Sequence, residues 1–465
     1  MKTNKILTLS VIAAVAFMSS CKKNDSSSGA HVNVSQPVYQ VGQAINDTTS
    51  GGAVKGTMLT GHTYHITRNL MVNAGDTLLL QSGVQVCIGD MKNVSITVRG
   101  VLLSLGTQSQ PNWFTICGLT KQDNQSQQAV NDLAYAGHWY GINCDTTCKL
   151  CILKWTHVEY PGENVLIAPV SGVSAGAPSF AVFFGNNNGK FVFEDSWIYG
   201  TTDDAVHIAG GRLSIMRNTF EKQGFNSGES VNTKTGCIGD VAYNLFIGGA
   251  VNGLKHSNAG AGPITGNVNC YNNTIIDNGF RNSTPAGHGA SINYEKGGTG
   301  RVYNNLFVNC RTGFRLVNTA DTTAPGNVMY GNNYYYGDSI GLVDQFYPAG
   351  NVVHPEATDI PNPFGGLLGA GYSLGAVYNA PASYVSFDNP MFQNFSLPNY
   401  HYETYTYASG FSFKLQAGSP AIGKGNTGFS AYAEIPVSTN FGPSQITQPG
   451  ADIGCYQSNG TGNQH

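Results

Sequence analysis

One short phrase recurs five times in the middle of this chain, and it leaves few folds open. The phrase is an apolar strand, a turn, an asparagine, and then two residues that are mostly apolar or aromatic. It reads Arg217-Asn218-Thr219-Phe220, Tyr243-Asn244-Leu245-Phe246, Asn272-Asn273-Thr274-Ile275, Asn304-Asn305-Leu306-Phe307 and Asn332-Asn333-Tyr334-Tyr335. The aligned asparagines lie 26, 29, 32 and 28 residues apart. Short strands repeated at such a period form a solenoid, in which each unit buries its apolar side only by stacking on its neighbours. Stacking also explains one asparagine at a fixed place. Each amide bonds to the amide of the next coil and to local turn backbone, forming a buried ladder that sets the register.

Composition agrees with this reading. Of 465 residues, 41% are apolar, 11% are charged and 59 are glycine, which suits a long all-β chain rich in turns. Strand-like runs begin near Gly56, as in His62-Thr63-Tyr64-His65-Ile66 and Val94-Ser95-Ile96-Thr97-Val98, parted by Gly, Asn and Asp. The expected fold is a single-stranded right-handed parallel β-helix over residues 51–335, whose strands stack without crossover helices. Residues 336–415, rich in Tyr, Pro and Gly, break the repeat and read as an irregular, loop-rich segment. Residues 416–465 resemble the closing segment of bacterial β-helix proteins and are expected to cap the last coil, whose open edge would otherwise invite aggregation.

At the N-terminus, Lys2 and Lys5 precede a mostly apolar run over 6–18 and then Ser19-Ser20-Cys21. The run is too short for a permanent membrane span and reads as a secretory signal over 1–20. Cys21 sits where a bacterial lipoprotein is cleaved and acylated; the site resembles a lipobox, with Met18 in place of the usual Leu. Residues 21–50 read as a tether and lead-in. The expectation is therefore an exported protein held by a lipid on Cys21, at the outer membrane of a Gram-negative bacterium, facing the periplasm or the cell surface. The net charge of -3 offers no basic surface, and no nucleic-acid partner is expected.

Nine cysteines follow Cys21. Cys87, Cys117, Cys270, Cys310 and Cys455 fall inside apolar phrases and read as small core residues. The cluster Cys144, Cys148, Cys151 has the spacing of radical-SAM iron–sulfur ligands. It runs straight into a strand of an exported chain, so a disulfide, a structural metal or plain packing fits better.

Aligning the strands that precede the asparagine phrases gives a second ladder of apolar residues: Val206, Val231, Leu254, Ile292 and Phe314. One residue later come His207, Asn232, Lys255, Asn293 and Arg315. Side chains alternate across a strand, so if the first set faces the core the second faces outward. Two residues further on lie Lys234, Ser257 and Glu295, with Asp203, Asp204 and Glu229 at the entrance to the strip. Such a strip suits β-elimination of a uronate-containing polysaccharide. The proton removed lies alpha to a carboxylate, and its loss needs a cation on that carboxylate and a base nearby.

Three segments resemble family 6 polysaccharide lyases, which are β-helix alginate and dermatan lyases: Asp203-Asp204-Ala205-Val206-His207, Gly228-Glu229-Ser230-Val231-Asn232-Thr233-Lys234 and Gly253-Leu254-Lys255-His256-Ser257. The resemblance implies Ca²⁺ held by Asp203 and Glu229, Lys234 as base and Lys255 as acid. Arg315 is a further candidate for proton donor or charge clamp, with His207, Asn232, Asn293 and Glu295 as substrate-binding residues. The chain departs from the family pattern at Ser227, where a Glu ligand is expected, at Lys255 in place of Arg, and at Ser257 in place of Gly. Three other readings stand beside this one. The strip is a solvated face with cross-strand ion pairs, the Asp203-Asp204 pair serves glycoside hydrolysis, or the protein is a non-catalytic glycan-binding or structural surface protein with an aromatic platform at Tyr334, Tyr335 and Tyr336.

Overall fold

A computed structural model describes residues 40–89, 93–121, 129–260, 264–282, 290–316, 328–337, 389–395, 410–433, 435 and 445–465. All of them belong to one compact unit, 38–465. The signal segment, Cys21 and most of 336–415 lie outside the described residues.

The chain folds as a right-handed parallel β-helix. Three parallel sheets of ten strands each run along it, in which each strand before the last coil pairs with the strand three places later in the sequence; Phe392–Asn394 and Ser412–Leu415 form a separate antiparallel pair. The strands of the three sheets begin at Gly52–Ala53 and end at Tyr334–Tyr336. We call the sheets one, two and three in the order in which each coil visits them. Sheet one contains Val206–Ile208, Val231–Thr233, Leu254–Ser257, Ala290–Glu295 and Thr312–Leu316. Val206, Val231, Leu254, Ile292 and Phe314 stand opposite one another in its register. All five are buried in the core.

The corner between sheets two and three explains the asparagine phrases. From Asp195 onward it holds two residues per coil. The first takes a left-handed conformation: Asp195, Arg217, Tyr243, Asn272, Asn304 and Asn332, like Trp155 before them, all have φ between 47° and 61°. This conformation costs an L-residue on the order of 1–2 kcal/mol, least for Asn. The second residue offsets the cost by bonding across coils. Asn244 Oδ1 accepts from both the backbone N–H (3.0 Å) and the Nδ2 (2.9 Å) of Asn218. Asn273, Asn305 and Asn333 repeat the pattern on Asn244, Asn273 and Asn305 at 2.9–3.1 Å. Each Nδ2 also donates to a carbonyl of an earlier coil, such as Asn273 to Val241 at 3.0 Å. The doublets Asn272-Asn273, Asn304-Asn305 and Asn332-Asn333 thus divide two tasks between two identical residues.

Towards the N-terminus smaller side chains continue the ladder. Ser196 N–H donates to Asn218 Oδ1 at 2.9 Å, Thr156 N–H to Ser196 Oγ at 3.0 Å, and Asn112 stands opposite Thr156. A second left-handed corner follows sheet three at Tyr160, Gly200, Lys222, Gly248, Asp277 and Asn309.

The segment expected to close the last coil runs along the first corner. Asn272 exchanges hydrogen bonds with Gly450 and Asp452, Asn304 with Asn426, and Asn332 with Lys424. Further back, Arg217 bonds Gln445 and Thr447, and Asn463 reaches the Asn218 carbonyl. The left-handed residues point outward, and the tail docks on them.

Among the cysteines, Cys270, Cys310 and Cys455 are buried core residues as expected. Cys144, Cys148 and Cys151 are buried free thiols inside the main apolar cluster. Cys87 and Cys117 correct the sequence reading, because they form a disulfide on half-buried outward positions.

Asn273→Ala should remove four ladder bonds and strand buried donors on Asn244. The expected loss is about 3 kcal/mol or more, read as a lower denaturation midpoint in urea. An unchanged midpoint would show that the ladder does not hold the register.

Candidate active site

On sheet one the register brings His207, Asn232, Lys255, Asn293 and Arg315 opposite one another on successive coils. With coils roughly 4.8 Å apart, the row spans about 19 Å along the solenoid. Glu295 pairs with Ser257 two positions on, and Lys234 follows Asn232 on the same outward face. These side chains do not form a solvated face. Asn232, Asn293 and Arg315 are buried, and His207, Lys234, Lys255 and Glu295 are half-buried. One wall comes from the segment between Glu159 and Val182. Its Val165, Val170 and Val173 pack on Tyr140 and Phe183, and Phe180 stacks on the His207 ring with centroids 4.5 Å apart.

A further aligned set lies two residues ahead of the inward apolar positions: Asp204, Glu229 and Asn252. It links the row into one network. Asp204 Oδ2 accepts from His207 Nδ1 and from Asn232 Nδ2, both at 2.8 Å, and Asp204 Oδ1 accepts from the Glu229 N–H at 2.7 Å. Asn232 Nδ2 also reaches Glu229 Oε2 at 3.2 Å, and Asn252 Nδ2 reaches Glu229 Oε1 at 3.2 Å. Lys255 Nζ lies 3.5 Å from Glu229 and 3.7 Å from Glu295, whose other oxygen accepts from Asn293 Nδ2 at 3.1 Å. Asn252 and Phe180 escaped the sequence reading, and Asp204 entered it only at the entrance to the strip and, in another reading, as a hydrolase partner of Asp203. For Asp204 and Asn252 the offset of two residues before Val206 and Leu254 was the available signal.

The charges divide unevenly. Burial works to raise the Asp204 carboxyl, but hydrogen bonds from His207 and Glu229 outweigh it and hold the group well below the usual carboxylate range. Burial and then the Asp204 charge push Glu229 well above that range, and push Asp203 up to about 7. Burial disfavours the Lys255 ammonium, yet Glu229, Glu295 and Asp204 prevail and raise it, so Lys255 is a firmly protonated cation. Burial pulls the buried Arg315 down. Among the described residues the Lys234 ammonium makes no ion pair or side-chain hydrogen bond, which leaves it available to a ligand.

Calcium, as the resemblance implies it, needs several converging oxygens. Among the described residues, Asp203, Asp204 and Glu229 do not bring three ligand atoms within 4.8 Å of one another; the trio that does so is His65, Cys87 and Cys117. Glu229 already engages Asn232, Asn252 and Lys255. The donor set as folded does not fit the ion.

One other expectation changes. Tyr334, Tyr335 and Tyr336 are buried, with Tyr335 packed on Phe307, so they provide no surface platform. His256 is a core residue. It faces inward in register with Thr233 and Tyr294, and shares a hydrogen bond with Thr233 Oγ1 at 2.8 Å. Gly266 and Gly298 flank its ring so closely that a Cβ on either would lie 2.6 or 2.7 Å away.

No family model matches the sequence, and no curated protein matches it. Among solved structures, the crystal structure of pectate lyase Pel9A is similar, with a TM-score of 0.35 and 15% identity over 83% of this chain and 88% of that one.

Burial pulls the His256 imidazole down to about 4. A base whose folded value lies below its unfolded value stabilises the fold above the unfolded value and loses that contribution as pH falls. The loss should build from pH 6.5 down to pH 4 and reach on the order of 3 kcal/mol. Thermal melts across that window should show a shallower pH slope for His256→Gln; an identical slope would assign the loss to other groups.

Proposed function

We propose that this protein is an exported, Cys21-anchored β-helix that binds an acidic polysaccharide along sheet one and cleaves it by β-elimination. The observation that carries this reading is the recessed row from His207 to Arg315. It presents Lys255 and Arg315 two coils apart, with Lys234 beside Asn232 on the coil before, and so fits an extended polymer lying along the solenoid axis. In the reaction the substrate carboxylate meets Arg315 and Lys255, which stabilise the charge that builds when the alpha proton leaves. Lys234, which makes no ion pair among the described residues, takes that proton as its neutral amine and becomes the ammonium, its stem reaching the row from the adjacent outward position. Lys255, held protonated, is the available donor to the leaving oxygen. His207, fixed by Asp204 and stacked on Phe180, together with Asn232, Asn293 and Glu295, borders the sugar and sets its register. No step is assigned to calcium.

The two neighbouring carboxyls support a second reading. Asp203, pushed up to about 7, sits beside the firmly ionised Asp204, and carboxyls driven apart in this way supply the acid and the base of glycoside hydrolysis.

One assay separates these readings. The protein is incubated with alginate, pectate and glycosaminoglycans, each with calcium and with chelator, while ultraviolet absorbance and reducing ends are followed together. A lyase raises both, and Lys234→Ala should then slow the rise by about 100-fold or more. Reducing ends without absorbance would support the hydrolase. Full lyase activity in Lys234→Ala would remove Lys234 from the mechanism, and binding without either product would leave a glycan-binding protein.

A further inference from the structure

The acidic centre of the row is occupied by a cation of the chain itself. Glu229 precedes the strand Val231–Thr233, Glu295 ends the strand Ala290–Glu295, and Lys255 lies on the strand between them. Its ammonium therefore bridges the coil before and the coil after, at 3.5 Å from Glu229 Oε1 and 3.7 Å from Glu295 Oε1. The other oxygens of both carboxylates are taken by the side-chain amides of Asn232 and Asn293.

A second observation comes from the asparagines of the same three coils. Asn232, Asn252 and Asn293 are buried, and each uses its amide nitrogen on a carboxylate, yet their Oδ1 atoms have no hydrogen-bond partner. Carboxyl and amide oxygens are the hard donors that calcium sites use. Here the Lys255 ammonium, with three N–H donors and a single charge, already stands between the two glutamates, at 3.5 and 3.7 Å. A protein-borne cation at that place cannot be removed by a chelator and needs no dehydration on binding.

We propose that Lys255 is a built-in substitute for a divalent cation: its ammonium fills the place between Glu229 and Glu295 that Ca²⁺ would take, so the native chain binds no calcium there. The proposal does not depend on the lyase reading, because it concerns what fills the acidic centre and not what the strip cleaves. The protonated state that the surrounding carboxylates enforce on Lys255 agrees with it.

The test is calorimetric titration of Ca²⁺ into the whole chain, with turnover playing no part. The wild type should give no saturable heat. Lys255→Ala, which vacates the centre and frees both carboxylates, should gain one site with a Kd of about 1 mM or tighter, within the range of oxygen-ligand calcium modules. Lys255→Arg, which keeps the charge, should gain none. Lys255→Met keeps the volume of the stem and replaces the alanine variant if circular dichroism shows the latter unfolded. Saturable binding by the wild type that disappears in Glu229→Gln would overturn the proposal, whatever the variants of Lys255 do. A folded Lys255→Ala or Lys255→Met protein that gains no site would overturn it equally. A failed lyase assay would leave both outcomes readable.

Discussion

The structure depends on a two-residue corner in which one residue accepts an unfavourable backbone conformation and the next secures it through a buried amide. Neither half works alone. A left-handed Arg217 or Tyr243 costs free energy that nothing local returns, and an amide at Asn218 or Asn244 would be a costly buried polar group without the coil above. Together they turn the chain through a sharp angle at the same place in each coil and fix how far each coil is rotated on the last. Register elsewhere is inherited from this corner. The alignment of His207, Asn232, Lys255, Asn293 and Arg315 on the opposite side of the coil follows from it, although the loops between coils differ in length.

The candidate site shows what such inheritance permits. A repeat places side chains from distant parts of the sequence at a spacing of roughly 4.8 Å, close enough for carboxylates, amides and an ammonium to bond in series. Alternation then decides which of them face the core and which face outward. In the row from His207 to Glu295 most of the contacts join one coil to another, so the site stiffens the solenoid while the solenoid positions the site. The wall built from 160–181 adds recess. With water partly excluded, ion pairs there act more strongly than on an open face, and unmet polar atoms cost more.

Much of this was legible in the sequence, and the limits have physical causes. The fold and the register of sheet one could be read because asparagine has few substitutes as both donor and acceptor in a buried ladder, and because the apolar positions keep its period. The ladder faded from view at Ser196, Thr156 and Asn112, where smaller polar groups bond backbone in place of a neighbouring amide and leave no fixed letter to count. The Cys87–Cys117 disulfide escaped although alternation marked both as outward, since Val86 and Ile88 flank Cys87 on the core side and Phe114 and Ile116 take the core positions ahead of Cys117. Tyr334, Tyr335 and Tyr336 looked like a platform but close the core, since aromatic runs satisfy either role. In the site, the sequence supplied the members but not the bonds. Asp204 and Asn252 stand at turn positions, where alternation no longer predicts direction, and the recess that buries the row depends on an insertion between coils.

The docking of the tail on the outward left-handed residues has an evolutionary consequence. Solenoids commonly grow or shrink by duplication or loss of a whole coil, since each unit contacts only its neighbours. Here the described parts of 424–463 tie the coils together in more than one pass: Asn332 and Asn304 bond Lys424 and Asn426, Arg217 bonds Gln445, and Asn272 bonds Asp452 as the tail comes back. Removing or inserting a coil within that stretch would put these partners out of phase. The tail works as a brace, and it should hold the coil count constant in this part of the molecule.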